Sequence, residues 1–515
     1  MLAKVLSSAV LGIEAYAVEV EVDIGNGLPA FNIVGLPDTA CRESADRVRA
    51  AVKNSGIVFP AKKITVNLAP ADLKKEGSAF DLAIAIGILV ANENIPRQVT
   101  DQKVFCGELS LDGKLRAISG ILPRAVFLHS TKKRADFFVP ADNSKEAQCV
   151  EGIKVFAVKS LVDLIRHLRG QVLIVPELTL SFKARTFEVS SAHTPFDFSD
   201  IKGQMHAKRG LEIAAAGGHN VLMIGPPGSG KTMLAKRVPT ILSDLTFEES
   251  IESTKIHSVA GLLSNQASLL NERPFRDPHH TISSVAMVGG GSYPKPGEVS
   301  LSHHGVLFLD ELAEFHRGVL EVLRQPLEEG CVTISRAAST LTLPARFMLI
   351  AAMNPCPCGY FTDPKKECSC SSVQIKRYLS KISGPLLDRI DIQLEVPRLK
   401  VGEIMGREKT EVSSEIKKRV ESARQIQRGR YRTRKIRCNA ELEAKDLEKH
   451  CGVSVEGEAL LKMAIQELGF SARAYHKCLK VARTIADLEG LEAIGPAHVS
   501  ESIHYRSLDR TQGLI

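Results

Sequence analysis

The sequence predicts an α/β chain in three parts, and three observations predict it. Residues 1–170 mix period-two and period-3.6 apolar patterns, as an α+β domain does. Residues 200–400 alternate apolar strand runs with helical patterns, as a parallel sheet requires. Residues 401–515 carry helical spacing alone, with glycines at the helix ends. Between the first two parts, residues 171–199 are Pro- and Ser-containing and weakly periodic, which reads as a linker. A chain of 515 residues has room for about three such units.

Each element has its own signal. AYAVEVEVDI (15–24) alternates apolar and polar side chains and predicts a half-buried strand. CRESADRVRAAVKNSG (41–56) places Ala45, Val48, Ala51 and Val52 on one helical face and stops at Gly56. KITVNLAP (63–70) predicts a strand and SAFDLAIAIGILVANE (78–93) a buried helix. KVFCGELSLDGKL (103–115) predicts two strands around an Asp112-Gly113 turn. NVLMIG (220–225), GVLFLDE (305–311) and RFMLIAAMNP (346–355) are continuous apolar runs, the form of strands buried on both faces. ALLKMAIQELG (459–469) and CLKVARTIADLEG (478–490) predict helices closed by glycine.

Composition removes several classes. Hydrophobic residues are 44% and charged residues 24%, which are ordinary globular values. The longest apolar stretch, Ala79 to Ala91, contains Asp81 and is short of the ~20 residues that cross a bilayer, so no membrane partner is expected. Glu14 and Glu19 interrupt the apolar N-terminus, so no signal peptide is expected. Four of the 11 cysteines fall within 356–370 and the rest are scattered, which predicts a reducing cytoplasm rather than a disulfide scaffold. A net charge of +8 favours an anionic partner without choosing one.

The most specific motif is Gly225-Pro226-Pro227-Gly228-Ser229-Gly230-Lys231-Thr232, between an apolar strand and a helix. Its glycines let backbone N–H groups converge on phosphate oxygens, and Lys231 adds a charge for the terminal phosphates. The Thr232 hydroxyl suits Mg²⁺, and the following helix turns its positive end to the anion. The expected cofactors are therefore a nucleotide, which the resemblance given below makes ATP, and Mg²⁺. Asp310 and Glu311 close the next apolar strand, Asp310 placed for Mg²⁺ and Glu311 for the attacking water. Asn354 ends a third strand, where it can hold that water or simply form a turn before Pro355. Arg389 reads either as an arginine finger or as a local salt bridge with Asp388 or Asp391. Arg473 reads either as a phosphate contact from a helical lid or as a solvated helix-start residue.

Glycine loop, Asp-Glu strand, Asn strand, LLDR and lid arginine stand in one order that resembles the AAA+ ATPases. RDPHHTIS (276–283), VGGGSYPKPGEVSLSHHGVLFLDE, LRQPLEEG, AAMNPCPCG, SGPLLDRID and SARAYHKCLKVARTIADLEG narrow this to the magnesium-chelatase-like subfamily of ComM/YifB type. The resemblance spans nearly the whole chain, from GLPDTACRESADRVRAA onward. It implies Walker A roles for Lys231 and Thr232, and Walker B roles for Asp310 and Glu311. It further implies sensor 1 at Asn354, a trans-acting finger at Arg389 and sensor 2 at Arg473. A trans-acting finger implies a homo-hexameric ring and a guanidinium presented away from its own protomer. The subfamily implies a DNA motor, a helicase driving branch migration during recombination or natural transformation, with single-stranded or branched DNA and recombination proteins as partners. The alternatives are a chelatase-type ATPase or a MoxR-like remodeller of a protein partner. The chain lacks the D-x-S-x-S motif of a chelatase's companion subunit.

The front domain resembles the Lon protease domain. Its first catalytic segment reads Lys75-Glu76-Gly77-Ser78-Ala79-Phe80-Asp81, with Ser78 one place off the family's serine. In the second, Leu122 or Pro123 stands where the family has lysine. A serine without a base has no activation, so no peptide cleavage is expected.

Three further features remain. Gln427 to Arg437 holds six basic residues with Tyr431, suiting either phosphate contacts through Arg430 and Arg434 with Tyr431 stacked on a base, or a solvated linker. GGGSYPKPG (289–297), with Tyr293 and Lys295, and a hairpin over 331–344, with Arg336, read by analogy as loops pointing into a ring's pore. Cys356, Cys358, Cys368 and Cys370 could enclose a structural Zn²⁺ or be unligated thiols. The His279-His280 and His303-His304 pairs read as packing or hydrogen-bonding groups near a ring interface.

Overall fold

The structure is a computed structural model. It describes all residues except 132–134, 178–195, 264–268, 292–294, 337–338, 362, 400–401, 404–409, 433–435 and 507–515, and also omits the side chains of Arg336 and Ser339. Most of the 171–199 linker, Tyr293 and Arg434 therefore lie outside the described residues. The chain divides into two compact units, one of residues 1–188 with 250–270 and one of 189–249 with 271–515. The stretch 250–270 groups with the first unit. The helical end falls within the second unit.

The first unit is built on strands β1 (Leu2–Leu11), β2 (Glu14–Gly25), β3 (Ala30–Val34), β4 (Lys63–Ala69) and β5 (Lys103–Phe105). A short hairpin of β6 (Glu108–Leu109) and β7 (Leu115–Arg116) follows, then β8 (Asp136–Pro140) and β9 (Lys154–Val158). The seven-stranded sheet runs β3-β4-β2-β1-β5-β8-β9. Helix α1 (Thr39–Asn54) starts on Asp38, which accepts the Cys41 N–H, and buries Cys41, Ser44, Val48, Ala51 and Val52. Ser44 takes the inward place expected of Ala45 because its hydroxyl bonds the buried Asp81. Helix α2 (Asp81–Ala91) is buried along its whole length. Asp81 is tolerated there because Arg47 Nε donates to it at 2.7 Å.

The second unit carries a five-stranded parallel sheet in the order β11-β14-β17-β10-β18. These strands are β10 (Val221–Ile224), β11 (Phe275–Arg276), β14 (Val306–Leu309), β17 (Met348–Met353) and β18 (Ile392–Glu395). Two hairpins stand off it: β12 (Gly289–Gly290) with β13 (Lys295–Pro296), and β15 (Cys331–Arg336) with β16 (Ser339–Pro344). The strand carrying Asn354 lies between the glycine-loop strand and the Asp-Glu strand. Register sets Ile224 beside Met353 and Leu309 beside Ala351, so three functional strand ends open at one edge. Helix α3 (Met205–Gly217) packs Leu211 and Ile213 into this sheet's core. From the helical end, α4 (Ser413–Arg430) and α5 (Ala472–Leu488) add Val420 and Ile485 to the same core. A smaller cluster around Leu442, Leu461 and Leu479 holds the helical end together. No helix among the described residues is long and apolar enough to cross a membrane.

Candidate functional site

The loop after β10 is constrained at Gly225, where a Cβ would come 2.1 Å from the Val396 carbonyl oxygen. Gly230 sits at φ +96, a left-handed conformation that side chains resist, and leads into the helix Lys231–Arg237. Lys231 folds back on this loop, its ammonium donating to the Gly225 and Pro226 carbonyls at 2.7 and 3.0 Å and to Asn354 Oδ1 at 3.3 Å. Burial lowers the Lys231 pKa, while Asp310 and Glu311 pull the other way. The Thr232 hydroxyl donates to Asp310 Oδ2 at 2.6 Å, and Asp310 Oδ1 accepts the Glu311 N–H at 2.9 Å. Lys231, Thr232, Asp310, Glu311 and Asn354 thus meet in one place.

Glu311 has φ 53 and ψ 47, a strained conformation for a non-glycine residue. That conformation turns its carboxylate out of the strand, where His280 Nδ1 stands 3.5 Å from it. The sequence reading gave His280 a packing or hydrogen-bonding role, and its polar neighbour is the second strand-end acid. Gln204 went unnoticed in the sequence. It begins α3 at φ 54 and donates to the Ser229 carbonyl at 3.3 Å and the Pro397 carbonyl at 2.7 Å. No local pattern marks such a residue, because its partners are 25 and 193 positions away.

The group fits a phosphate with a divalent cation. Among the described residues the buried Ser229 hydroxyl oxygen has no hydrogen-bond partner and the Lys231 ammonium donates only to neutral oxygens, while Thr232 and Asp310 offer two hard oxygen ligands side by side.

The two arginines stand together elsewhere in the same unit. Arg473 donates to Asp388 at 3.0 Å, and Arg389 is ion-paired with Glu328 and bonded to the Pro385 carbonyl. Burial and the charges of Arg324 and Arg473 lower the Arg389 pKa. The side chain of Arg389 is 11% exposed, so it is not the freely presented guanidinium the sequence reading required. Its salt bridge is to Glu328 rather than to Asp388 or Asp391, which are held by Arg473 and by His219 and Lys477 respectively. Both arginines border a cavity of about 760 Å³ or adjoin its Asp388 wall.

Among the described residues of the basic tract, Arg428, Arg430 and Arg437 have partners within the chain. Arg430 forms a two-pronged ion pair with Asp487, and Arg428 pairs with Glu421 at 3.1 Å. Tyr431 is buried and donates its hydroxyl to Asn439 at 2.7 Å, so it cannot stack on a base. Arg430 is a structural ion pair rather than a free phosphate contact. Lys295 is exposed on its hairpin, and Arg336 ends β15. In the first unit the Ser78 hydroxyl donates to Glu108, while Leu122 and Pro123 are buried in the helix Ile121–Ser130.

Residues 197–404 match the family described as magnesium chelatase, subunit ChlI. Residues 20–143 match subunit ChlI of Mg-chelatase, and 410–506 the C-terminal part of that subunit. The chain is 45% identical over 512 residues to competence protein ComM of Haemophilus influenzae, covering 99% of this chain and 98% of that protein. It is 43% identical to the uncharacterized protein YifB of Escherichia coli, over 98% of this chain and 96% of that one. Over 157 residues, 28% of this chain and 27% of the other, it is 31% identical to Lon protease 2 of Bacillus subtilis.

Proposed function

The chain belongs to the magnesium-chelatase-like AAA+ ATPases of ComM/YifB type, and from that membership we propose that it is a homo-hexameric motor that spends ATP to move along DNA. The observation that carries the ATPase half is the convergence of Thr232 with Asp310 and of Lys231 with Asn354. In this reading Lys231 and the loop amides hold the phosphates. Thr232 and Asp310 hold Mg²⁺, which when bound neutralises charge on the phosphate oxygens. Glu311 orients the attacking water and accepts its proton, and Asn354 fixes that water from the adjoining strand.

Assembly is supported by the separation of Arg389 and Arg473 from the glycine loop. Two cationic side chains at one locus, neither bonded to its own phosphate loop, suit a neighbour's nucleotide. In this reading assembly exchanges Glu328 for the γ-phosphate as the partner of Arg389. The DNA half is supported by a relative named for competence and by the Lys295 and Arg336 hairpins. Recombination proteins would be its companions. The division into a Lon-like domain at 1–170, a motor core at 200–400 and a lid at 401–515 is part of this reading, as is a domain at the front that cuts no peptide.

The test is ATP-dependent branch migration on a synthetic four-way junction, wild type beside Lys231→Ala. ATP turnover stimulated by single-stranded or forked DNA, and lost in Lys231→Ala, supports the motor. Turnover indifferent to DNA returns the chain to a chelatase-type or MoxR-like remodeller.

A further inference from the structure

Two residues beyond Asn354, four cysteine side chains close on a common point. The sulfurs of Cys356, Cys358, Cys368 and Cys370 all lie within 4.8 Å of one another. Cys356 and Cys358 are 3.3 Å apart, Cys356 and Cys368 3.6 Å, and Cys358 and Cys368 3.5 Å. A zinc tetrahedron with bonds of ~2.3 Å has sulfur–sulfur edges of roughly 3.8 Å. A disulfide requires ~2.05 Å, and all four cysteines are free. A four-iron cubane would hold its thiolates much farther apart than these.

The surrounding backbone is arranged for thiolates. The N–H of Phe361 points at Cys356 Sγ at 3.3 Å, that of Cys358 at Cys370 Sγ at 3.4 Å, and that of Cys370 at Cys368 Sγ at 3.4 Å. Donors aimed at sulfur favour its charged form and orient it toward a cation. The loop between the two cysteine pairs is tied by Asp363, which accepts the Lys365 and Lys366 N–H groups at 2.8 and 3.2 Å.

We propose that these four cysteines bind one structural Zn²⁺, and that the closed knuckle braces the phosphate loop. Four protein ligands leave no open position, so the site does no chemistry on a substrate. Each thiol loses its proton to solvent as it binds, and nothing is oxidised or reduced. The bracing follows from Gly359. At φ +85 it turns back against Pro227, where a Cβ would come 2.6 Å from the proline Cδ and 3.8 Å from Asn354 Cγ. The knuckle therefore grows from the strand that carries Asn354 and presses on the loop that carries Lys231. Without an ion the four side chains are neutral thiols with no common ligand to hold them together, and the turn at Gly359 loses its anchor. The bracing half rests on the nucleotide reading above, whereas the metal half does not.

The full chain, purified without chelator, should contain about one zinc, and X-ray absorption at the zinc edge should show four sulfur neighbours at ~2.3 Å. Iron in place of zinc, a disulfide, or a metal-free chain would overturn the metal half. Wild-type spectra decide this even if Cys368→Ser with Cys370→Ser does not fold. Stripping zinc from wild type should weaken binding of a fluorescent ATP analogue by roughly tenfold or more, as small displacements of positioning groups do. Unchanged affinity after stripping overturns the bracing half. Lys231→Ala should lose nucleotide and keep zinc; if it keeps nucleotide, the nucleotide reading and the bracing half fall together, and the zinc count still decides the metal half.

Discussion

Arg473 donates to Asp388 at 3.0 Å, beside Arg389, in a segment that leads into the Ile392 strand next to Val221, at the end of that strand opposite the glycine loop. The chain brings the loop, both strand-end acids and Asn354 together, while neither arginine is hydrogen-bonded to that group. The proposed assembly, in which a neighbouring copy completes the site, makes a prediction about this arrangement.

Complementation in mixed assemblies should reveal that division. Lys231→Ala retains both arginines and Arg389→Ala retains an intact loop, so each alone should be inactive. Mixed in equal amounts, they should recover a measurable part of wild-type turnover. Two preparations that co-assemble yet stay as inactive as either alone would confine Arg389 to its own protomer. Glu328→Gln should leave nucleotide affinity unchanged and alter only turnover in the assembled state.

Lys231 gives a pH dependence with a definite sign. Burial holds its folded-state pKa below the ordinary lysine value of 10.5. Below the lowered pKa both folded and unfolded chains are protonated, and the cost of burying the charge is fully present. As pH rises from there toward 10.5 the folded chain sheds its proton first, so this group's contribution makes the nucleotide-free protein more stable. Nucleotide binding runs the other way, because phosphate favours the ammonium form. Affinity for a non-hydrolysable ATP analogue should decline across that window, with proton uptake visible by calorimetry in two buffers of different ionisation enthalpy. Lys231→Arg, charged throughout, should remove the decline.

Glu311→Gln should reduce hydrolysis by roughly a hundredfold or more while leaving nucleotide binding near wild type, as loss of a general base does. His280→Ala, which frees Glu311 from its neighbour at 3.5 Å, should lower turnover by several-fold with little change in KM. Hydrolysis that survives Glu311→Gln would assign water activation to another group. The outcome is read from single-turnover hydrolysis beside equilibrium binding.

The parts of this site that were legible in the sequence are those encoded locally. Gly225 to Thr232, Asp310, Glu311 and Asn354 each follow an apolar run whose direction fixes where the next side chain emerges. Gln204, the His280 contact with Glu311 and the Glu328 partner of Arg389 depend on pairings across 25 to 193 positions, which periodicity does not carry. Ser44 shows the same limit on a smaller scale, since a polar side chain took the inward position only because Asp81 waited 37 residues on. The basic tract has the same limit: a run of arginines states charge, and only the fold states that Asp487 holds Arg430 and Glu421 holds Arg428.

Those acids give the last prediction. Asp487 is fully buried and is held by Arg430, by Arg483 Nε at 3.1 Å and by Asn439 Nδ2 at 2.8 Å. Removing the charge leaves Arg430 and Arg483 without their shared anion, so Asp487→Asn should cost about 3–5 kcal/mol, the range for breaking a buried pair. Arg430→Gln should also destabilise, by less because that side chain is 18% exposed, and should leave DNA affinity unchanged. Lys295→Glu with Arg336→Glu should do the reverse, weakening DNA binding while sparing stability and nucleotide affinity. Thermal unfolding and DNA titration of the three proteins separate these outcomes. DNA affinity that falls with Arg430→Gln and holds with the hairpin variant would move the DNA path to the tract at 427–437.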